Sequence, residues 1–253
     1  MRISTLSLAA ALLFAATPAL AQDADTAPPP AFTVSGGATL VTDYRFRGIS
    51  QTDKDFAIQG TFTVAHESGF YATVWGSSID DYVAGGSDQE IDLIGGYKHT
   101  FGGTTLDVGV LYYYYPGSSQ FIDNYASDFV EPYASLSHTI GPVTGKISAA
   151  YAPKAKALSV GNGKEDNLYT ALDLSAGVPT TAVSVSAHLG HSFGPSYLTI
   201  GKEYTDWSVG ASYTWNHLTF GVAYVDTDKT LYSAISGKNI SKAGVVGSVG
   251  VSF

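Results

Sequence analysis

The chain has 253 residues with a formal net charge of −9 at pH 7, and only 14% of its residues are charged. This length is enough for one domain. The acidic balance argues against nucleic acid as a partner, because phosphate backbones require a basic patch. The absence of cysteine excludes a disulfide framework and a thiolate metal site. No spacing of histidine and carboxylate indicates a metal, and we expect no cofactor.

The start of the chain predicts export. Met1-Arg2 is positively charged, the stretch from Leu6 to Phe14 is apolar, and Thr17-Pro18-Ala19-Leu20-Ala21 ends in a small-x-small pattern. This order is typical of a signal peptide, so we predict that residues 1–21 are removed after Ala21. The apolar stretch is too short for a membrane anchor. Residues 22–31 include three consecutive prolines and predict a disordered periplasmic tail.

From Phe32 onward, apolar residues recur with a period of two, which is typical of strands. The first segment places one set of residues on an apolar face (Val34, Gly36, Ala38, Leu40, Tyr44 and Phe46) and a second set on a polar face (Ser35, Thr39, Asp43, Arg45 and Arg47). The same alternation recurs along the whole remaining chain. It predicts about twelve strands, many of them about 10 to 12 residues long, which suits tilted strands that cross a membrane.

The connections between these segments alternate in length. Short turns are predicted at 66–69, 100–103, 141–142, 179–180 and 216–217, and longer loops at 80–89, 116–128, 154–165, 194–203 and 227–241. The connection near Ile49–Lys54 is the shortest of the longer set. Tight turns at one end and long loops at the other are typical of outer-membrane barrels. None of these loops is long enough for a large plug, although 227–241 or 116–128 could fold inward.

Charged residues fall almost entirely on one face of the segments. A barrel in lipid needs this division, because an Arg or Lys that faces lipid at the midplane costs roughly 2–4 kcal/mol. A soluble β-sandwich does not need it, because its outer faces lie in water. We therefore predict an all-β, single-domain, transmembrane antiparallel up-and-down β-barrel over residues 32–253. The predicted pore-lining residues are Asp43, Arg45, Arg47, Glu90, Asp92, Lys98, Asp107, Glu131, Lys146 and Asp173.

Aromatic residues near the strand ends predict two girdles at the membrane interfaces. Trp207 and Trp215 lie on one face of a strand, and a rise of about 3.3 Å per residue with a tilt near 40° separates them by roughly 20 Å along the barrel axis. The spacing approaches the roughly 25 Å height of the apolar band in such barrels. The predicted girdle residues are Tyr112, Tyr114, Trp207, Trp215 and Phe253.

The segment Thr42-Asp43-Tyr44-Arg45-Phe46-Arg47-Gly48-Ile49-Ser50-Gln51-Thr52 resembles the TorF family of porins, a proteobacterial family of conserved hypothetical outer-membrane proteins. Gly69-Phe70-Tyr71, Trp75-Gly76-Ser77, Glu90-Ile91-Asp92 and Gly95 with Tyr97 extend the resemblance over essentially the whole mature chain. It implies a porin-like protein without a known substrate. The resemblance to outer-membrane proteins also implies that the barrel-assembly machinery reads the terminal Phe253.

Twelve strands give a lumen between the filled interior of eight strands and the open channel of sixteen. Small inward residues favour a water-filled pore, and an acidic balance predicts weak cation preference. We expect a bacterial outer-membrane channel for passive diffusion of small hydrophilic solutes or ions, surrounded as a monomer by lipid and lipopolysaccharide. Arg47 is expected opposite Asp55. Arg45 is expected to be a functional lumen charge, because no acidic residue on the next strand faces it.

Two other functions remain open. A closed barrel could act as an adhesin or scaffold through its polar loops. A hydrolase at the rim would need serine, histidine and a carboxylate within hydrogen-bond reach. His188 shares a face with Ser184 and Ser186, but there is no Gly-x-Ser-x-Gly motif. We therefore expect that the protein is not an enzyme.

Overall fold

The computed structural model describes residues 30–118, 127–233 and 235–253. The predicted signal peptide, nearly all of the predicted tail and residues 119–126 of the predicted loop 116–128 lie outside the described residues. None of the helices in the described ranges is long and apolar enough to cross a bilayer.

Twelve antiparallel strands close into one barrel, as predicted. Each strand pairs with its neighbours along the chain, and the last strand pairs with the first. The wall consists of β1 (Phe32–Val41), β4 (Ala57–His66), β5 (Phe70–Ser78), β6 (Gln89–Phe101), β7 (Thr104–Tyr114), β8 (Phe129–Ile140), β9 (Val143–Ala155), β10 (Glu165–Gly177), β11 (Val183–Phe193), β12 (Tyr204–Trp215), β13 (Leu218–Thr227) and β14 (Gly244–Ser252). Strands β2 (Arg45–Phe46) and β3 (Ile49–Ser50) form a separate hairpin, and short 3-10 helices lie at Lys156–Leu158 and Tyr197–Thr199.

The seam between β1 and β14 involves the terminal phenylalanine. Gly37 pairs with Ser252 in the register of the two strands. Beyond that pair, the Phe253 amide donates to the Gly36 carbonyl at 3.0 Å, and the Gly36 amide donates to the Phe253 carbonyl at 3.1 Å. A Cβ on Gly36 would lie 2.7 Å from Cζ of the Phe253 ring. The ring therefore packs over a position where only glycine leaves room.

The two faces of the wall differ in polarity. Large apolar side chains on alternate positions are exposed on the outside, for example Val34, Ile58, Val209 and Val245. Side chains at the intervening positions point inward and are mainly small, polar or aromatic. An exposed apolar belt around a whole barrel is unfavourable in water and matches a lipid environment. The alternation that the sequence shows is therefore the division between the outside and the inside of the barrel.

The two ends of the barrel also differ. Short turns connect β4 to β5, β6 to β7, β8 to β9, β10 to β11 and β12 to β13, and all of them lie at the end where Phe32 and Phe253 lie. We call this the turn end. The longer connections lie at the opposite end, which we call the loop end. The predicted alternation of turn and loop lengths is confirmed.

The prediction for the first segment is wrong after Val41. There β1 ends, and residues 42–56 leave the wall and enter the barrel, where β2 and β3 form the hairpin. Arg47 and Gly48 reverse the chain with φ values of 48° and 79°. Tyr44 and Phe46 are 2% and 7% exposed instead of facing outward. The alternation continues through this segment because a hairpin in the lumen has two unlike faces of its own. The sequence did not identify this segment as one that folds inward.

Candidate functional site

Every residue that the sequence predicted to line a pore lies in the lumen. Eight of these side chains are buried, including that of Arg45, and the other two, Lys98 and Asp173, are half-buried. Three of the ten come from the inserted hairpin segment, and the wall strands β6 to β10 supply the others. The location is consistent with the prediction, but the role of these residues in conduction stays a prediction. The predicted girdle residues lie at outward positions of β7, β12 and the seam.

Arg47 attaches the tip of the hairpin to the wall. Its guanidinium donates to both oxygens of Glu131 on β8 at 2.7 and 2.8 Å, and to Oδ1 of Asn167 on β10 at 3.1 Å. The same group lies 4.1 Å from the ring centre of Tyr169. The hydroxyl of Tyr204 on β12 donates to the Arg47 carbonyl at 2.9 Å. The sequence expected Asp55 opposite Arg47, which is wrong because Arg47 sits at the hairpin tip and not in the wall.

Arg45 is paired at the base of the hairpin. Its Nε donates to Oδ2 of Asp43 at 2.6 Å, and its Nη1 donates to the carbonyl oxygens of Gly48, Ile240 and Lys242. Oδ1 of Asp43 accepts a bond of 2.6 Å from the hydroxyl of Ser50. Arg45 therefore lies in the lumen with an acidic partner, and its functional role stays a prediction. Its partner is two residues away in its own segment and not on the following strand.

The opposite side of the hairpin segment contacts β5 and β6. The hydroxyl of Tyr44 donates to Glu90 at 2.9 Å, and the ring of Tyr44 packs edge-on against Trp75 at 5.5 Å. Asp92 lies on the same strand as Glu90 and is 5% exposed. Among the described residues, neither carboxylate has a Lys, Arg or His within ion-pair distance. Two buried carboxyl groups without a cationic partner in the described chain therefore lie on one strand near the loop end.

Charges alternate in sign across the neighbouring strands β9 to β12. Lys146 on β9 contacts Asp173 on β10 at 2.9 Å. His188 on β11 contacts Asp173 through Nδ1 at 2.6 Å and Asp206 on β12 through Nε2 at 3.1 Å. On the other side of the barrel, Lys98 and Asp107 form a pair of 3.2 Å. Pairs of opposite charge across strands stabilise the wall and leave little net charge at this level.

The hydrolase alternative finds little support at His188. Both ring nitrogens contact carboxylates, and Nε2 also lies 2.9 Å from the hydroxyl of Tyr169. Within the described ranges, no bond joins His188 to Ser184 or Ser186. A serine nucleophile requires a histidine nitrogen that is free to take its proton. No group of three or more histidines and carboxylates in the described chain could hold a metal ion.

The sequence did not single out the tyrosines of the lumen. Tyr71, Tyr133 and Tyr169 lie on inward positions, and each ring lies flat over an inward glycine. A Cβ on Gly96 would lie 2.6 Å from Tyr71, a Cβ on Gly109 would lie 2.6 Å from Tyr133, and a Cβ on Gly190 would overlap the Tyr169 hydroxyl. These rings therefore lie against the wall and leave the centre of the barrel free. These tyrosines alternate in step with the inward charged residues, and this pattern is visible in the sequence.

The hairpin divides the lumen into separate spaces. A cavity of about 210 Å³ lies on its turn-end side, and a cavity of about 120 Å³ lies on its loop-end side, with Phe46 lining both. A third cavity of about 70 Å³ lies between the base of the hairpin and a wall of small residues. Arg45 and Val225 line both this third space and the cavity of about 210 Å³. The free space of the barrel thus runs beside the hairpin and beneath it.

A family model matches residues 24–253. The chain belongs to Gcw_chp, a family of bacterial proteins of unknown function. The name TorF, which the motif suggested, is not confirmed. None of the curated proteins matches the sequence.

Solved structures show the same fold at low sequence identity. The chain is similar to the NanC porin, with a TM-score of 0.55 and 12% identity over 87% of this chain and 99% of that chain. It is also similar to the COG4313 outer membrane channel from Pseudomonas putida F1, with a TM-score of 0.51 and 12% identity over 91% of this chain and 98% of that chain. These likenesses establish the porin-type barrel as the fold.

Proposed function

We propose that the protein is a bacterial outer-membrane channel through which small hydrophilic solutes and ions diffuse passively. The observation that carries the proposal is a closed barrel with an apolar outer face, a polar inner face and a cavity of about 210 Å³ inside. An apolar belt needs lipid, and a polar lumen needs water or a polar solute. The similarity to the NanC porin and to the COG4313 channel, together with the TorF-like motif, supports the same function.

The narrowest part of the passage is proposed to lie beside the base of the hairpin. There Arg45 faces a wall with small residues on β12, β13 and β14, among them Gly210, Ala223 and Ser248. These small side chains leave space on their side of the lumen, whereas the hairpin fills the opposite side. Solute size is therefore limited by the hairpin and not by the strand number.

A weak preference for cations is part of the proposal. Glu90 and Asp92 are acidic residues of the lumen without a cationic partner in the described chain, whereas the other lumen carboxylates pair with Lys, Arg or His. A local excess of carboxylates favours cations in a channel. We further propose a monomer in lipid and lipopolysaccharide, inserted through recognition of Phe253 by the barrel-assembly machinery.

Single-channel recording of the refolded chain in a planar bilayer tests the function. We expect steady current steps and, in a KCl gradient, a reversal potential that indicates cation preference. The double variant Glu90→Gln/Asp92→Asn should move this potential toward that of a non-selective pore. Asp228→Asn, which changes an exposed loop carboxylate beside Lys229, is the matched control and should leave it unchanged. A folded barrel without conductance would contradict the channel and favour the adhesin or scaffold.

A further inference from the structure

The cavity of about 210 Å³ lies directly beneath the hairpin. Its roof is formed by Phe46, Arg47 and Gly48, and its walls by inward residues of β7 to β13. The volume of about 210 Å³ is smaller than the roughly 300–1,000 Å³ that drug-sized ligands occupy. A ligand in this space is therefore limited to about the size of one sugar ring.

The charges around this cavity balance one another. Arg47 pairs with Glu131, Lys146 pairs with Asp173, and His188 lies between Asp173 and Asp206. Arg45, which also lines the cavity, pairs with Asp43. An ionic ligand would have to compete with a carboxylate or a cation for each of these groups. A neutral ligand requires no such exchange.

The walls of the cavity retain hydrogen-bonding capacity. The hydroxyls of Ser135, Ser148 and Ser208 line it, and they make no hydrogen bond within the described part of the chain. The ammonium of Lys146 has three N–H donors, of which the contact with Asp173 occupies one. Free hydroxyls both donate and accept, so they suit a ligand that itself carries several hydroxyl groups.

Aromatic rings complete the cavity. Tyr133 and Tyr169 line it, and the glycines beneath their rings hold both rings against the wall. The Arg47 guanidinium covers the inner face of Tyr169, so Tyr133 is the ring that offers a face to the cavity. A flat ring offers an apolar face to the C–H side of a small ring, while the polar edge of the ligand contacts serine and charged groups. Apolar faces combined with a few convergent polar groups are typical of small-molecule sites.

We propose that this cavity binds a small neutral polyhydroxylated solute, such as a monosaccharide or a short polyol. The inference rests on the proposed channel function and names a class of solute for it. The solute lies beneath the hairpin, with its hydroxyls on Ser135, Ser148 and Lys146 and its C–H surface on the ring of Tyr133.

Calorimetric titration of the refolded barrel with D-glucose tests binding without requiring conduction. Glycine and sodium acetate serve as zwitterionic and anionic probes of smaller size. We expect saturable heat with D-glucose and no saturable heat with the other two. In the planar bilayer, D-glucose should reduce the current in a concentration-dependent way.

Two leucine substitutions on β10 locate the site. Ala171 lines the cavity, so Ala171→Leu should fill it and weaken D-glucose binding about tenfold or more. Ala176 lies on the outer face of the same strand, so Ala176→Leu should bind D-glucose like the unchanged protein. Ser148→Val gives a second variant if Ala171→Leu does not fold.

The outcomes separate the two proposals. No D-glucose binding, equal binding to the inward and outward leucine variants, or stronger binding of acetate or glycine overturns the polyol site, even if the barrel conducts. Saturable D-glucose binding that Ala171→Leu abolishes supports the site. The same binding by a barrel that does not conduct keeps the site and overturns the channel.

Discussion

The loop-end and turn-end halves of the lumen are built from the same strands but are filled in different ways. Toward the loop end, the hairpin occupies the centre and is held by rings and charges from β5 to β12. Toward the turn end, ion pairs between neighbouring strands lie along the wall and the centre contains the cavity of about 210 Å³. The open space inside this barrel therefore depends on the inserted segment as well as on the number of strands.

The charges of the two halves have different partners as well. At the loop end, Arg47 reaches from the hairpin to Glu131, a contact between residues 84 positions apart in the chain. At the turn end, Lys146 and Asp173 are direct partners in the register of β9 and β10. Ion pairs within the wall stabilise strand pairing, whereas the Arg47 pair fixes an element that could otherwise move. Four changes test this difference.

Removal of the hairpin should have the largest effect. Replacing residues 44–51 with a Gly-Ser linker, together with Glu131→Gln to avoid an unpaired carboxylate, should raise single-channel conductance several-fold because the centre of the loop-end half is then empty. Deletion of residues 160–163, an exposed part of another loop, is the control and should leave conductance unchanged. Equal conductance of the hairpin variant and the unchanged protein would show that the hairpin does not restrict the passage.

Breaking the Arg47 pair should strongly destabilise the barrel. Glu131→Leu leaves the guanidinium buried without its carboxylate, a change that costs about 3–5 kcal/mol in comparable pairs. The free energy of unfolding in urea, measured in lipid vesicles, gives this value. The double variant Arg47→Met/Glu131→Leu should recover most of the loss. If both variants are equally unstable, the pair is not the source of the stabilisation.

The glycine beneath Tyr169 should be less tolerant than an outward glycine. Gly190→Ala places a methyl group where the phenol lies, so the ring must leave Asp206 and His188, and we expect a loss of about 1–3 kcal/mol. Gly95→Ala is the matched control on the outside of the barrel, where nothing lies within 4 Å of the added Cβ. Urea unfolding of the two variants gives the comparison, and similar values would contradict the role of the ring.

The contact between the 227–241 loop and the inserted segment should have the smallest effect. The ammonium of Lys238 donates to Asp53 at 2.7 Å, and this hydrogen bond raises the pKa of Lys238 above its ordinary value. A raised pKa in the folded state means that the stabilisation is present at neutral pH and is lost as the pH rises through that pKa. Lys238→Met should therefore lower the unfolding temperature slightly at neutral pH and not at strongly alkaline pH. A difference that persists at alkaline pH would contradict the ionic contribution.

The sequence alone was sufficient for the wall. The period of two, the uncharged outer face and the alternation of short and long connections predicted the twelve-strand barrel and the inward position of Glu90, Lys146 and Asp173. These features follow from local geometry, because a strand in a barrel wall must send alternate side chains to lipid and to the lumen. The pairing of Lys98 with Asp107 is likewise a consequence of a short turn, which fixes the register of two neighbouring strands.

Only the tertiary structure decided where residues 42–56 lie and which charges remain unpaired. The alternation through Tyr44 and Phe46 fits a wall strand and a hairpin in the lumen equally well, so the period could not separate them. Arg47 meets Glu131 and Tyr169 across the barrel, and Arg45 meets carbonyl oxygens near residue 240. Contacts of this kind depend on the closure of the barrel, which brings distant strands around one centre. The pairing of strands that are neighbours along the chain does not predict which residues meet across that centre.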